Sequence, residues 1–177
     1  PRQTISQTYR DDSKLHTRHL QVGNQTELLE TFNYDQRGRM VEYTCDGPAL
    51  PQDSYKNGIK EQLFEFDALD NVTAVYSLFA DGTRDDAFSY FSPSDPCQLV
   101  KVTHSHPDYD ASCTLDYDDD GNLLHDENGQ ALHYDTQGRL LSVTDTGGNT
   151  VSRYRYDAHN HLLGVTRGTQ IETLRFY

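Results

Sequence analysis

The stretch LHYDTQGRLLSV, residues 132–143, decides the fold. Leu132, His133 and Tyr134 run apolar, polar, aromatic, the period-two alternation of a strand with one buried face. Asp135 follows as an acceptor for local backbone N–H groups. Three residues later stands Gly138, which tolerates a left-handed backbone. That pair is the chemistry of a type I turn closed by a glycine-type bulge. Arg139, Leu140 and Leu141 start polar and become apolar, as a returning strand should. The stretch reads as one β-hairpin.

The same phrase recurs along the chain. Phe32-Asn33-Tyr34, Phe64-Glu65-Phe66, Phe88-Ser89-Tyr90, Leu115-Asp116-Tyr117, Tyr154-Arg155-Tyr156 and Leu174-Arg175-Phe176 repeat the triplet, with a polar residue always in the middle. Turn aspartates follow at Asp35, Asp67, Asp118 and Asp157. The left-handed position three residues on is Gly38, Asp70, Gly121 or Asn160. Opposite strand ends carry Asp81-Gly82, Asn128-Gly129, Gly147-Gly148-Asn149 and Arg167-Gly168. Units of about twenty residues cannot bury their own faces, so neighbours must supply the partner surface. The fold class expected is all-β: consecutive antiparallel β-hairpins in a curved sheet strip with one apolar, aromatic face. The open edges of such a strip are expected to pair with further repeats or another molecule.

Composition agrees with thin sheets. Of 177 residues only 34% are hydrophobic, none is Trp and one is Met. The formal net charge of −13 repels nucleic acid and anionic membrane, so neither nucleic-acid binding nor membrane insertion is expected. No run approaches a membrane span. Cys45, Cys97 and Cys113 show neither a disulfide framework nor zinc-finger spacing. A first residue Pro1 rather than Met, and an abrupt end at Phe176-Tyr177, suggest a piece of something longer.

Tyr134-Asp135-Thr136-Gln137-Gly138-Arg139-Leu140 resembles the YD repeat of RHS-repeat proteins. Tyr34-Asp35-Gln36-Arg37-Gly38-Arg39-Met40 is a second near match. Looser copies begin at Tyr117 and Tyr156, and Phe66-Asp67 departs by carrying Asp70 for glycine. The resemblance covers residues 28–177. It implies a β-strip forming part of a larger shell, as in bacterial polymorphic toxins and insecticidal toxin complexes. The shell of such proteins encapsulates and delivers a C-terminal toxic effector. The partners so implied are the remaining repeats, the toxin domain, a delivery component or a cell-surface glycan. The implied location is secreted or surface-delivered from a bacterial cytoplasm. The residues carrying this role would be Tyr34, Asp35, Gly38, Phe66, Asp67, Tyr117, Asp118, Gly121, Tyr134, Asp135, Gly138, Tyr156, Asp157 and Asn160. The signature of self-cleavage that ends many RHS cores is not found, so no catalytic residue is carried over.

Some segments break the rhythm. Residues 1–27 are the least readable, though Leu15 to Val22 alternates like a strand. Residues 42–62, with Asp46-Gly47-Pro48, Pro51 and Asn57-Gly58, and residues 91–114, with Pro93, Pro96 and Pro107, read as insertions, and binding often resides on such loops. His104 and His106 could place two zinc ligands on one face, but solvated histidines are the expectation. Residues 115–129, LDYDDDGNLLHDENG, fit a calcium-loop pattern with Asp116, Asp118, Asp120 and Glu127. Neither flank reads as the helix that a calcium hand requires. No metal and no cofactor are therefore expected. Pairs such as Asp85-Asp86 would serve glycoside hydrolysis only across a cleft. No nucleophile elbow, phosphate loop or zinc-protease helix occurs, so no enzyme is expected. The competing expectation is an adhesin-like surface module for carbohydrate or protein, with calcium assisting.

Overall fold

The computed structural model describes residues 2–168 and 170–172. The triplet at Leu174 lies outside the described residues. Among the described residues every element is a strand, and each pairs antiparallel with its neighbour in sequence wherever a register is defined. One nine-stranded sheet runs β1 (Gln3–Tyr9), β2 (Leu15–Val22), β3 (Gln25–Tyr34), β4 (Met40–Asp46), β5 (Ile59–Phe66), β6 (Val72–Phe79), β7 (Arg84–Phe91), β8 (Leu99–Thr103) and β9 (Ser112–Thr114). A five-stranded sheet runs β10 (Ala131–Tyr134), β11 (Leu140–Thr144), β12 (Thr150–Tyr156), β13 (Leu162–Arg167) and β14 (Gln170–Glu172). The chain divides into two compact units, residues 1–112 and 113–177.

One register feature recurs at the turn end of the outgoing strands. Pairing shifts between Asn33 and Tyr34, Glu65 and Phe66, His133 and Tyr134, and Arg155 and Tyr156. Each shift brings the aromatic opposite the first residue of the returning strand, such as Met40 or Leu140. A bulge of this kind bends the strand and re-aims its last side chain. The same shift falls between Tyr90 and Phe91, with Phe91 opposite Leu99. The unit read as Phe88-Ser89-Tyr90 is therefore one residue out of phase, and Phe91 is the equivalent of Tyr34 and Phe66. A slip of one residue exchanges the faces of a strand, and Phe88 and Tyr90 are accordingly 40% and 45% exposed.

The stretches read as insertions are partly strand. Residues 42–46 complete β4, residues 59–62 open β5, and β8 lies inside the second stretch. The irregular lengths at that sheet edge are residues 47–58 and 104–111. Residues 1–27 supply β1 and β2, a hairpin continuous with the next.

Burial is shallow. Among the described residues the buried apolar side chains are Tyr43, Cys45, Ala74, Phe79, Val143 and Val165, and no side chain falls below 2% exposure. Polar groups are nonetheless buried in the first sheet, Glu30, Ser77 and Asp85 among them. Glu30 takes a forked ion pair from Arg18, with Nη2 to Oε1 at 2.7 Å, and accepts the Tyr43 hydroxyl at 3.0 Å. Burial pushes the Glu30 carboxyl up, but the bonds from Arg18 and Tyr43 outweigh it and leave the group below its ordinary range.

Candidate functional site

The repeated feature is a five-residue turn built around an aspartate. Asp35 Oδ1 accepts the backbone N–H of Arg37 and of Arg39, both at 2.9 Å. The Gly38 N–H donates to the Asp35 carbonyl at 3.0 Å, and the Asp35 N–H to the Arg39 carbonyl at 2.9 Å. This is a type I turn with its bulge, and Gly38 stands at φ 83°. Asp135 repeats the arrangement with Gln137, Arg139 and Gly138, the last at φ 73°. Asp67, Asp118 and Asp157 do the same, with Asp70 at φ 69° and Asn160 at φ 66° in the left-handed place.

These bonds hold the turn carboxylates ionised. The backbone N–H of Arg139, then its guanidinium, keep Asp135 below the ordinary aspartate range against the effect of burial. The Asn122 side chain and backbone do so for Asp118. Asp53, Asp126 and Asp145 make the same two-bond turn, with Lys56, Gly129 and Gly148 left-handed. Sequence reading placed turns at Asn128-Gly129 and Gly147-Gly148-Asn149 but missed the aspartates that cap all three, because no aromatic triplet precedes them. The signal available was Asp followed at the fifth position by Asn or Gln.

The fifth residue of the turn can reach forward to the next hairpin. Arg39 Nε bonds Asp35 at 2.7 Å, while Nη1 crosses to the Asp67 carbonyl at 3.1 Å and Asp70 Oδ1 at 2.7 Å. Its guanidinium carbon lies 4.7 Å from the centre of the Phe66 ring, a cation–π contact. Arg37 adds a bond to Asp70 Oδ2 at 2.9 Å. In the second unit Arg139 repeats this. It bonds Asp135 at 2.7 Å and Asn160 Oδ1 at 2.8 Å, and lies 5.1 Å from the Tyr156 ring centre. Lys14 and Arg10 stand 5.9 and 5.8 Å from the Tyr34 ring centre. Aromatic hydroxyls reach back in the other direction: Tyr34 donates to the Leu15 carbonyl at 2.9 Å, and Tyr156 to the Leu140 carbonyl at 3.1 Å.

The two non-glycine left-handed residues among the sequence-read turns, Asp70 and Asn160, are the acceptors for Arg39 and Arg139. Their departure from glycine costs backbone freedom and gains a partner in the preceding turn. Asn122 differs: its amide folds back on Asp118 at 2.9 and 3.2 Å, and the turn ahead offers Gly138, which has no side chain to grip.

At the other edge of the first unit the irregular segments meet. His104 Nδ1 bonds buried Asp85 at 2.7 Å and its ring stacks on Tyr109, with centres 4.7 Å apart. Asp85 also accepts the backbone N–H of Ser105 and His106. His106 Nε2 lies 3.1 Å from Thr83 Oγ1, its ring packs edge-on to Phe79, and the residue is only 6% exposed. Tyr109 donates to Asp53, and Asn57 to Asp108 at 3.2 Å. The expectation of solvated histidines is therefore corrected. They fasten residues 104–111 to Asp85 on β7 and to Thr83 in the turn before it, while Asp108 and Tyr109 hold residues 53–57. Asp53, Asp85 and Tyr109 were missed because only the fold brings residues so distant in sequence together.

Among the described residues no three His, Cys, Asp or Glu side chains converge to hold a metal ion. Asp118 is occupied by its own turn, Asp116 and Asp120 are exposed, and Glu127 bonds Asn128 at 3.4 Å. Asp85 and Asp86 point to opposite faces of β7, one buried and one exposed, so they make no carboxylate pair. Among the described residues no helix is long and apolar enough to cross a membrane.

The RHS repeat family model matches residues 117–150 and 134–170. No curated protein matches by sequence. Among solved structures the chain is similar to the crystal structure of TcdB2-TccC3-TEV, at TM-score 0.61 and 16% identity over 91% of this chain. It is similar also to the Photorhabdus luminescens Tc holotoxin pore with a substituted TccC3, at TM-score 0.62 and 16% identity over 94%. TcdB2-TccC3 without its hypervariable C-terminal region gives TM-score 0.63 and 16% identity over 95%. The chain spans 10% of the length of each of these matched chains. The shared property is the fold, an all-β array of antiparallel hairpins.

Proposed function

We propose that this chain is a length of wall in an RHS-type toxin shell, which encapsulates a C-terminal effector until delivery outside the producing cell. The observation that carries the reading is the forward grip of one turn on the next, seen at Arg39 and again at Arg139. Such contacts hold a hairpin to its neighbour in the strip, and the units they join have shallow cores of their own. The likeness of fold to TcdB2-TccC3 over most of the chain supports the same reading. The role is mechanical: turn and strand residues shape the wall, and no group in it acts on a substrate.

Limited proteolysis of the full parent protein tests this. With the segment intact the C-terminal effector should resist protease. With Gly38 and Gly138 both replaced by Val it should be cut at rates nearing those of the isolated effector. Equal resistance in both proteins contradicts the wall role. A dose-dependent hit on a glycan array would instead favour the adhesin-like module.

A further inference from the structure

We infer that the face of β5–β8 bearing Phe88 and Tyr90 is a docking surface for a basic, amphipathic segment of another protein. Such a segment would lay an apolar stripe on the two rings and set flanking Lys or Arg side chains against Glu65 and Asp86. The surface goes beyond the wall role and would stand without it.

The bulge aromatics Tyr34, Phe66, Tyr134 and Tyr156 put their strands in a common phase. One and three places before the aromatic stand Asn33 and Thr31, Glu65 and Leu63, His133 and Ala131, and Arg155 and Arg153. These hairpins close without an aromatic at either place. On β7, phased by Phe91, the same places hold Tyr90 and Phe88. Two rings therefore stand on a face that elsewhere is largely polar, and strip formation does not call for them.

The rings belong to a contiguous patch. Residues directly opposite each other share a face. Leu63 lies opposite Tyr76, and Phe88 lies opposite Ala74, next but one to Tyr76 on β6. Tyr76 and Phe88 meet edge to face with ring centres 6.0 Å apart, and Leu63 is 38% exposed beside them. β7 is paired on both sides, by β6 and β8, so the exposure belongs to a face and not to an open edge. Exposed apolar surface with a polar border marks an interaction site.

Charge defines the occupant. Asp86 lies opposite Tyr76, and Glu65 lies opposite Ala74. Burial, then the charge of Glu65 and a bond to it, and the charge of Asp86, push the Tyr76 hydroxyl above its ordinary value, so both carboxylates bear on that ring. Across β4–β8 this face carries Glu42, Asp46, Glu61, Glu65 and Asp86 against Arg84 and Lys101. Lys101 is itself seated over Tyr90, with Nζ 4.4 Å from the ring centre, a cation held by this face. Among the described residues no cation covers the Phe88 ring. An apolar centre bordered by carboxylates fits a partner with apolar anchors and basic flanks.

A titration tests it. The probe is a labelled helical peptide of Leu and Lys, its leucines in one stripe and its lysines on both flanks, added to the chain at physiological salt. Anisotropy should report one-to-one binding, and amide shifts in the native chain should cluster on β5–β8. Phe88→Thr with Tyr90→Thr, which keeps strand-forming residues on β7, should weaken binding about tenfold or more, as should Glu65→Gln with Asp86→Asn. Asp119→Asn with Asp120→Asn removes the same charge at an exposed turn and should leave binding nearly unchanged. Exchanging the peptide's Leu for Ser, or its Lys for Glu, should abolish binding. No binding, shifts scattered beyond β5–β8, or equal losses from the two carboxylate pairs would overturn the surface. So would a dimer in sedimentation that Tyr90→Thr dissolves, which makes a second copy the occupant, or a glycan bound through Phe88. Each of these readings is independent of effector protection, so this surface and the wall role can fail separately.

Discussion

Two turns of nearly identical backbone, residues 118–122 and 135–139, make different use of their fifth residue. Both cap two N–H groups with an aspartate and pass through a left-handed glycine. In the first, Asn122 closes back on its own Asp118. In the second, Arg139 holds Asp135 and then extends to Asn160 and the Tyr156 ring of the next hairpin. Making a turn and coupling it to a neighbour are therefore separate tasks, carried by separate residues. The aspartate and the left-handed residue reverse the chain. The fifth residue decides whether the reversal is felt one hairpin further on.

Acid should give the largest effect and strike both turns alike. Asp118 and Asp135 are both held below the ordinary value of 3.8, Asp118 chiefly by the Asn122 amide and Asp135 by the Arg139 backbone N–H. A carboxyl depressed by folding stabilises the fold fully above its unfolded pKa and ceases to as pH falls through its folded one. Stability measured by denaturant melts should hold above pH 5 or so and drop steeply below about pH 4. An acid-insensitive fold would contradict the turn chemistry.

Backbone strain comes next. Gly138→Val and Gly121→Val each force a β-branched residue into left-handed space, at φ 73° and 83° in the native chain. Each should cost about 1–2 kcal/mol in urea melts, with the two values close together. A cost confined to one site would show that the turns are not equivalent.

Removing the fifth residue should separate them. Arg139→Ala should speed amide exchange in β12 and β13 as well as in its own turn. Asn122→Ala should speed exchange only around Asp118. Equal spread from both sites would erase the distinction. The smallest expected effect is none: millimolar calcium should leave the melting temperature of the chain unchanged, because the Asp118 carboxylate is already filled by Asn122 and backbone N–H groups. A rise in melting temperature with calcium would reinstate residues 115–129 as an ion site.

Much of this was legible in the sequence, for a local reason. A hairpin with an aspartate turn is specified within about ten residues, so Tyr34 to Met40 and Tyr134 to Leu140 announce themselves. Reading failed where the specification is spread out or substituted. Phe88 and Tyr90 imitate the triplet, yet the bulge at Phe91 sets the phase, and only the register with β8 reveals it. The turn after Tyr9 keeps its geometry with Ser13 in the left-handed place, a choice no propensity favours. Asp70 and Asn160 looked like imperfect glycines. Their purpose appears only when Arg39 and Arg139 are seen across the gap between hairpins. The cluster of Asp53, Asp85, His104 and Tyr109 joins segments too distant in sequence for any local pattern to connect.

A double-mutant cycle on Arg139 and Asn160 tests the central claim most directly. Arg139→Ala, Asn160→Gly and the double variant would be compared with the native chain in urea melts. If the fifth residue couples successive hairpins, the single effects should exceed additivity by more than about 0.5 kcal/mol, the limit for independent sites. Additive effects within that limit would mean the two turns fold side by side without holding each other, and the account of a coupled strip would fail.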